Sequence, residues 1–300
     1  MPMLRLSSPS EALQALQQAR DVEMHAYTLH GPFVAALEAA ARRGAHVVVR
    51  LAEKPFADPG GYLAAENQRV AAALRAAGAD AAVEEGSHAK TMRVDEALYL
   101  DDRNWQSDDV VLRADAADAA SIPMRKHAAL LQERSILQST PGDDVIVETE
   151  SFALRNSVSA GLDALAQSGS HPRLLVNDRD LRGNTKEAAA LRRMVDQGVR
   201  VRICSDSEKL ACADAQAWVG SANATAAYGP YDTIDWGVAS RDPAIVDAVR
   251  TRLEARWERA REFVAPPPTH TPKSLNALRS VVATISSGPT RSTSASLAAV

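Results

Sequence analysis

Within "SHAKTMRVDEALYLDDRNW", residues 87–105, the chain gathers His88, Lys90, Asp95 and Asn104 on what reads as strand, turn and strand. The same types return in "SEKLACADAQAWVGSAN" as Lys209, Asp214 and Asn223, each 119 residues further on (209−90, 214−95 and 223−104). One position breaks the echo: where a second histidine is expected, the chain has Ser207. A phosphodiester is an anion that repels nucleophiles, and two ammonium groups with two carboxamides can hold its nonbridging oxygens and offset developing charge. Lysine suits this as a compact point charge, and asparagine donates without adding repulsion. A neutral imidazole can attack phosphorus to give a phosphohistidine, which water or an alcohol then resolves. Such a set requires no metal or other cofactor, and no carboxylate cluster of the two-metal type is visible in the sequence.

The elements that must position these residues alternate between helix and strand. "SPSEALQALQQAR" opens on a capping serine, Ser8 or Ser10, and "VEMHAYTL" reads as a strand. "PFVAALEAAARRG" reads as a helix stopped at Gly44, "AHVVVRLA" as a buried β-branched strand, and "AAENQRVAAALRAAG" as a further helix. Strand, helix, strand, helix and strand follow again in "DVIVETESF", "SVSAGLDALAQSG", "RLLVND", "NTKEAAALRRMVDQG" and "VRVRIC". Strands alternating with helices imply an α/β chain, and the second run implies an internal repeat. Aligning Gly44 with Gly198, an offset of 154, leaves about 35 extra residues between this glycine and the motif in the first copy. The expected organisation is a first repeat over 1–113, a mostly helical connector over 114–144, a second repeat over 145–262 and a low-complexity tail over 263–300.

The 300 residues suffice for a substantial core, and 46% hydrophobic with 24% charged residues is ordinary globular composition. A net charge of −4 gives no global positive field, which argues against nonspecific nucleic-acid binding while leaving a local basic cleft open. The two cysteines, Cys204 and Cys212, make no disulfide framework. No apolar run has the form of a signal peptide or a membrane span, so a cytoplasmic protein is expected, with non-classical export left open.

The duplicated His-x-Lys-x4-Asp with asparagine nine residues later resembles the phospholipase D superfamily of phosphodiesterases, over residues 5–262 or so. The second copy carries the family's Gly-Ser-x-Asn as Gly220-Ser221-Ala222-Asn223, whereas Asp101-Asp102-Arg103-Asn104 keeps only the asparagine. The resemblance implies two similar α/β/α repeats about a pseudo-twofold axis, with one site where the two hairpins meet. It also implies His88 as the nucleophile, with Lys90, Lys209, Asn104 and Asn223 on the phosphate. The family's acid downstream of Gly-Ser-x-Asn corresponds to Asp235 in the second copy and to Asp108 or Asp109 in the first. Asp95 and Asp214 are expected to brace their hairpins, and Ser221 is placed among substrate-binding residues. For Arg103 and Trp105 two readings stand, a clamp or stacking face for substrate and a plain surface arginine or core tryptophan.

A hydroxyl cannot replace imidazole as a general acid near neutral pH, and losing that assistance costs about 10²–10⁴-fold. Ser207 thus leaves three readings: a diverged enzyme that keeps His88 for esters with good leaving groups, an inactive phosphate-binding or regulatory protein, and an engineered variant. The function expected is metal-independent phosphodiester hydrolysis on nucleic acid or phospholipid.

Overall fold

The structure, a computed structural model, describes residues 3–264 without 56–57, 59, 87, 139–143, 182–183 and 206–207. Ser207 and nearly all of the expected tail lie outside the described residues. In the first half, β1 (Leu4–Ser7) leads into α1 (Pro9–Leu16), whose N-cap Ser8 accepts from the Glu11 amide at 3.2 Å. There follow β2 (Asp21–Ala26), α2 (Pro32–Arg42), β3 (His46–Ala52), α3 (Tyr62–Ala76), β4 (Asp80–Glu84), β5 (Thr91–Val94), β6 (Ala97–Asp101) and β7 (Val111–Asp115). The helices are crossovers: β2, β3 and β4 run parallel, and α2 and α3 carry the chain back between them. β5 and β6 form the antiparallel hairpin that holds the first motif, and the sheet order is β1-β7-β6-β5-β2-β3-β4.

The connector contains α4 (Ala116–Ala119) and α5 (Lys126–Gln138). Beyond it come β8 (Ile146–Thr149), α6 (Ser157–Gln167), β9 (Arg173–Asn177), α7 (Asp178–Leu181), α8 (Thr185–Asp196), β10 (Arg200–Cys204), β11 (Leu210–Ala213), β12 (Gln216–Gly220), β13 (Gly237–Ser240), α9 (Pro243–Arg259) and β14 (Arg261–Glu262). The second sheet runs β13-β12-β11-β8-β9-β10-β14. Its first six strands stand in the same order as β7-β6-β5-β2-β3-β4, so the two halves are α/β units of one design, differing in the strand added at one edge.

This order corrects the Gly44–Gly198 alignment. Gly198 precedes β10, whose counterpart is β4, so its partner is Gly78, and the two glycines share a left-handed φ of 101° and 102°. The helix-to-strand turn at Gly44 leads into β3, one crossover earlier, and the 35-residue insertion disappears. Both turns carry alanine-rich helices ending in glycine before a β-branched strand, and local composition does not distinguish consecutive crossovers of one sheet.

One core cluster joins the two sheets, combining Leu100 and Leu112 of the first with Ile146, Leu175, Leu210 and Val219 of the second and with Val249 and Leu253 of α9. Two further clusters lie under the helices of each half. Packing around Trp218 on β12 is close: a Cβ on Gly220 would stand 2.4 Å from its ring, and one on Gly237 would stand 2.5 Å from it. The indole is fully buried and donates to the Ala129 carbonyl at 3.1 Å, so it has no room to yield. This is the physical reason for glycine ahead of Ser221.

Gly237→Ala should therefore lower stability by about 1–3 kcal/mol through overpacking. A lower urea midpoint with an unchanged slope would show it, and Trp218→Phe in the same background should recover part of the loss. An unchanged midpoint would mean that the sheet shifts freely at this point.

Candidate active site

The first motif enters the site where the chain passes from β4 into β5. Ladder bonding is the same in both halves: the Lys90 carbonyl accepts from the Asp101 amide at 2.9 Å, and the Lys209 carbonyl from the Gly220 amide at 3.1 Å. Both lysine side chains are almost wholly buried, and Lys90 donates to the His88 carbonyl at 2.8 Å. Tyr27, one residue past β2, lies edge-on to the His88 ring at 5.0 Å, and the Lys90 ammonium stands 5.2 Å from the Tyr27 ring centre.

The carboxylate that orients His88 comes from the other half. His88 Nδ1 and Asp235 Oδ1 are 2.6 Å apart, and Asp235 also accepts from the Ser221 hydroxyl at 2.8 Å and the Thr233 hydroxyl at 2.6 Å. With Nδ1 on a carboxylate, Nε2 is the nitrogen without an acid partner, and the Lys90 ammonium stands 3.3 Å from it. Burial lowers the His88 pKa, with Asp235 opposing it and Lys90 acting in the same sense, which favours the neutral ring. Burial would raise Asp235, but His88 and then Lys90 hold it well below the carboxylate range. Burial and then the Lys209 charge bring Lys90 down to about 7. Lys209 is held above its ordinary value although burial works against it, because Glu150 at 3.1 Å, then Asp102 and Asp235, support its charge. The Lys209 charge thus acts on Lys90, and the Glu150 charge acts on both.

The halves differ beside their lysines. Thr91 on β5 pairs with His25, and Leu210 on β11, 119 residues later, pairs with Glu148 (210−91). Two residues beyond these partners stand Tyr27 and Glu150, so a carboxylate occupies in the second half the place of an aromatic ring in the first. The repeated spacing did not reveal it, because this pair is separated by 123 residues (150−27) while the hairpins are separated by 119.

The acids differ as well. Val111 opposes Asp101 and Gly237 opposes Gly220, which makes Asp109 the counterpart of Asp235, two residues before its strand. Yet Asp109 meets no imidazole among the described residues; it faces the Arg103 guanidinium at 2.6 Å. Arg103 also pairs with Asp108 at 2.6 Å and reaches Glu208 at 3.6 Å, while Arg252 of α9 pairs with Glu208 and, at 3.1 Å, with Asp108. Asp101, Asp102 and Asp109 bring oxygens within 4.8 Å of one another, so the fold assembles a carboxylate cluster absent from the linear reading. Burial, then neighbouring carboxylates, raises Asp101 and Asp102 well above their ordinary range. These acids also brace the β6–β7 loop, accepting from the backbone amides of Arg103, Trp105, Gln106 and Val110 at 2.7–3.1 Å.

Three expected substrate contacts change character. Arg103 is a buried ion-pair partner, and Trp105 packs into the core against Phe33, with ring centres 5.1 Å apart. Ser221 is fully buried and its hydroxyl is spent on Asp235 and the Trp236 amide, so it supports the acid instead of meeting substrate. Asp95 and Asp214 occupy left-handed turn positions, φ 51° and 49°, and the Asp95 carboxylate accepts from the amides of Arg20 and Asp21 at the start of β2. Asn223 is half-buried, its amide oxygen 3.5 Å from the Thr149 hydroxyl, and the Asn104 amide oxygen is buried. Lys126, at the start of α5, is a third buried lysine near Asp235, bonded to the Thr225 hydroxyl at 2.6 Å. It belongs to no repeat, and no spacing announces it.

By sequence, no family model matches the chain and no curated protein matches it significantly. By structure, it is similar to phosphatidylserine synthase from Haemophilus influenzae, with a TM-score of 0.62 at 9% identity over 95% of this chain and 94% of that one. It is also similar to polyphosphate kinase from Porphyromonas gingivalis, with a TM-score of 0.59 at 15% identity over 85% of this chain. The chain spans 47% of that kinase's length. At these identities the likenesses bear on the fold, and the two similar α/β units are those expected of a phospholipase D-like chain.

Proposed function

We propose that the protein is a metal-independent phosphodiesterase that acts through a phosphohistidine at His88, on an ester of the nucleic-acid or phospholipid type. The observation that carries this reading is the 2.6 Å contact between His88 and an Asp235 anchored by two hydroxyls. Asp235 keeps the proton on Nδ1, and the Nε2 lone pair attacks phosphorus. The P–N bond forms as the bond to the leaving oxygen breaks, with Lys90, Lys209 and Asn223 on the nonbridging oxygens. A leaving group stable as an anion departs without a proton. Water then attacks phosphorus, the P–N bond breaks and the monoester is released.

A specific observation supports a second reading, a phosphate-binding protein without turnover: the counterpart of Asp235 is tied to Arg103 and not left for a second imidazole. Arg103, Glu208 and Arg252 extend the same network, which balances the buried acids around Asp109.

Hydrolysis of bis(4-nitrophenyl) phosphate should persist in excess EDTA and fall at least about 10²-fold in His88→Ala, the low end of such losses. Activity lost to chelator and restored by magnesium or zinc would defeat the mechanism. The pH profile of kcat/KM should be a bell. It rises as His88 loses its proton below its ordinary value and falls as Lys90 loses its charge near 7. A rate that climbs steadily to pH 9 would remove Lys90 from the phosphate.

Ser207→His alone should raise turnover of a diester with an alkyl leaving group by less than about tenfold, well short of full acid–base assistance, because Asp109 is committed to Arg103. A gain of a hundredfold or more would show that Asp109 exchanges partners readily and that position 207 is merely emptied.

A further inference from the structure

Without a second imidazole, the proposed reaction lacks a group to take the proton from the water that releases the phosphohistidine. The carboxylates around the site differ sharply in how free they are. Asp235 accepts from three donors and is 1% exposed in its side chain. Asp109 and Glu208 are fully buried against arginines. Glu150 alone among these four keeps an exposed part, 36% of its side chain, and its partner is the motif lysine Lys209 at 3.1 Å. Strand register places it in the second half where Tyr27 stands in the first, and Tyr27 touches both His88 and Lys90. Its charge reaches Lys90 and His88 as well as Lys209.

We infer that Glu150 is the general base of the hydrolytic step, accepting a proton from the water that attacks the phosphorus bound to His88. This rests on the phosphohistidine reading above. In the free protein Lys209 holds Glu150 down to about 2, too acidic for an effective base. A bound phosphoryl group changes this, because its nonbridging oxygens compete for the Lys209 ammonium. The carboxylate loses its cation, gains an anionic neighbour and becomes more basic at the stage when a base is needed. The water oxygen forms the new P–O bond, its proton passes to Glu150, and the P–N bond breaks with its electron pair returning to Nε2. Glu150 then gives the proton to solvent and recovers Lys209 as the monoester leaves.

The test is rapid-mixing and steady-state kinetics on bis(4-nitrophenyl) phosphate for the full chain and for Glu150→Gln, with Glu150→Asp as the conservative control. Glu150→Gln should retain a rapid release of one equivalent of nitrophenolate, while steady-state turnover falls about 10²–10⁴-fold. Acid-labile phosphate should accumulate on His88, and Glu150→Asp should restore part of the turnover. An equal fall of burst and steady state would assign Glu150 to positioning Lys209. Unchanged or faster turnover would mean that Glu150 only restrains Lys209 in the free protein. Either result overturns the inference and leaves the His88 reading standing. Turnover in the unaltered chain that survives His88→Ala overturns both.

Discussion

The site depends on one contact made across two sheets: an imidazole at the entry to β5 against a carboxylate two residues ahead of β13. Neither half completes this contact by itself, and His88 without Asp235 has no fixed tautomer. Asp235 without His88 and Lys90 would be a buried carboxylate with too little positive charge to offset its desolvation. The shared core of Leu100, Leu210 and Val219 holds the hairpins at the distance this contact needs. Close packing at Trp218 against Gly220 and Gly237 sets the strand from which Asp235 hangs.

Around that contact the electrostatics favour an anionic ligand. Lys90 and Lys209 are both buried and repel each other, and only Lys209 has a carboxylate beside it. An anion placed near both would relieve this repulsion and supply hydrogen-bond acceptors. Lysine transmits this repulsion as a movable pKa, which a guanidinium would not do.

The pseudo-twofold design is kept in strand order and abandoned in chemistry. Opposite the intact His88–Asp235 half, buried acids from the β6–β7 loop, β8 and the entry to β11 meet arginines from that loop and from α9. Removing one partner of such a buried pair costs about 3–5 kcal/mol, which makes the network hard to undo one substitution at a time. One half of the site therefore keeps an imidazole paired with a carboxylate, while the other half ties α9 to both sheets.

The sequence by itself determined the α/β character, most helices and strands, and the matching hairpin positions of Lys90 and Lys209. These are legible because hydrophobic period and turn glycines act locally, and because duplicated hairpins preserve an unbroken 119-residue spacing. It misplaced the partner of Gly198, since neighbouring crossovers of one sheet look alike in composition. Tertiary structure alone decided that Ser221 serves Asp235, that Trp105 is core, that Arg103 neutralises buried acids, and that Glu150 and Lys126 stand at the site. Those roles depend on what faces a side chain across a sheet or from another helix. Loops of unequal length shift such partners out of any constant spacing, so only the folded chain brings them together.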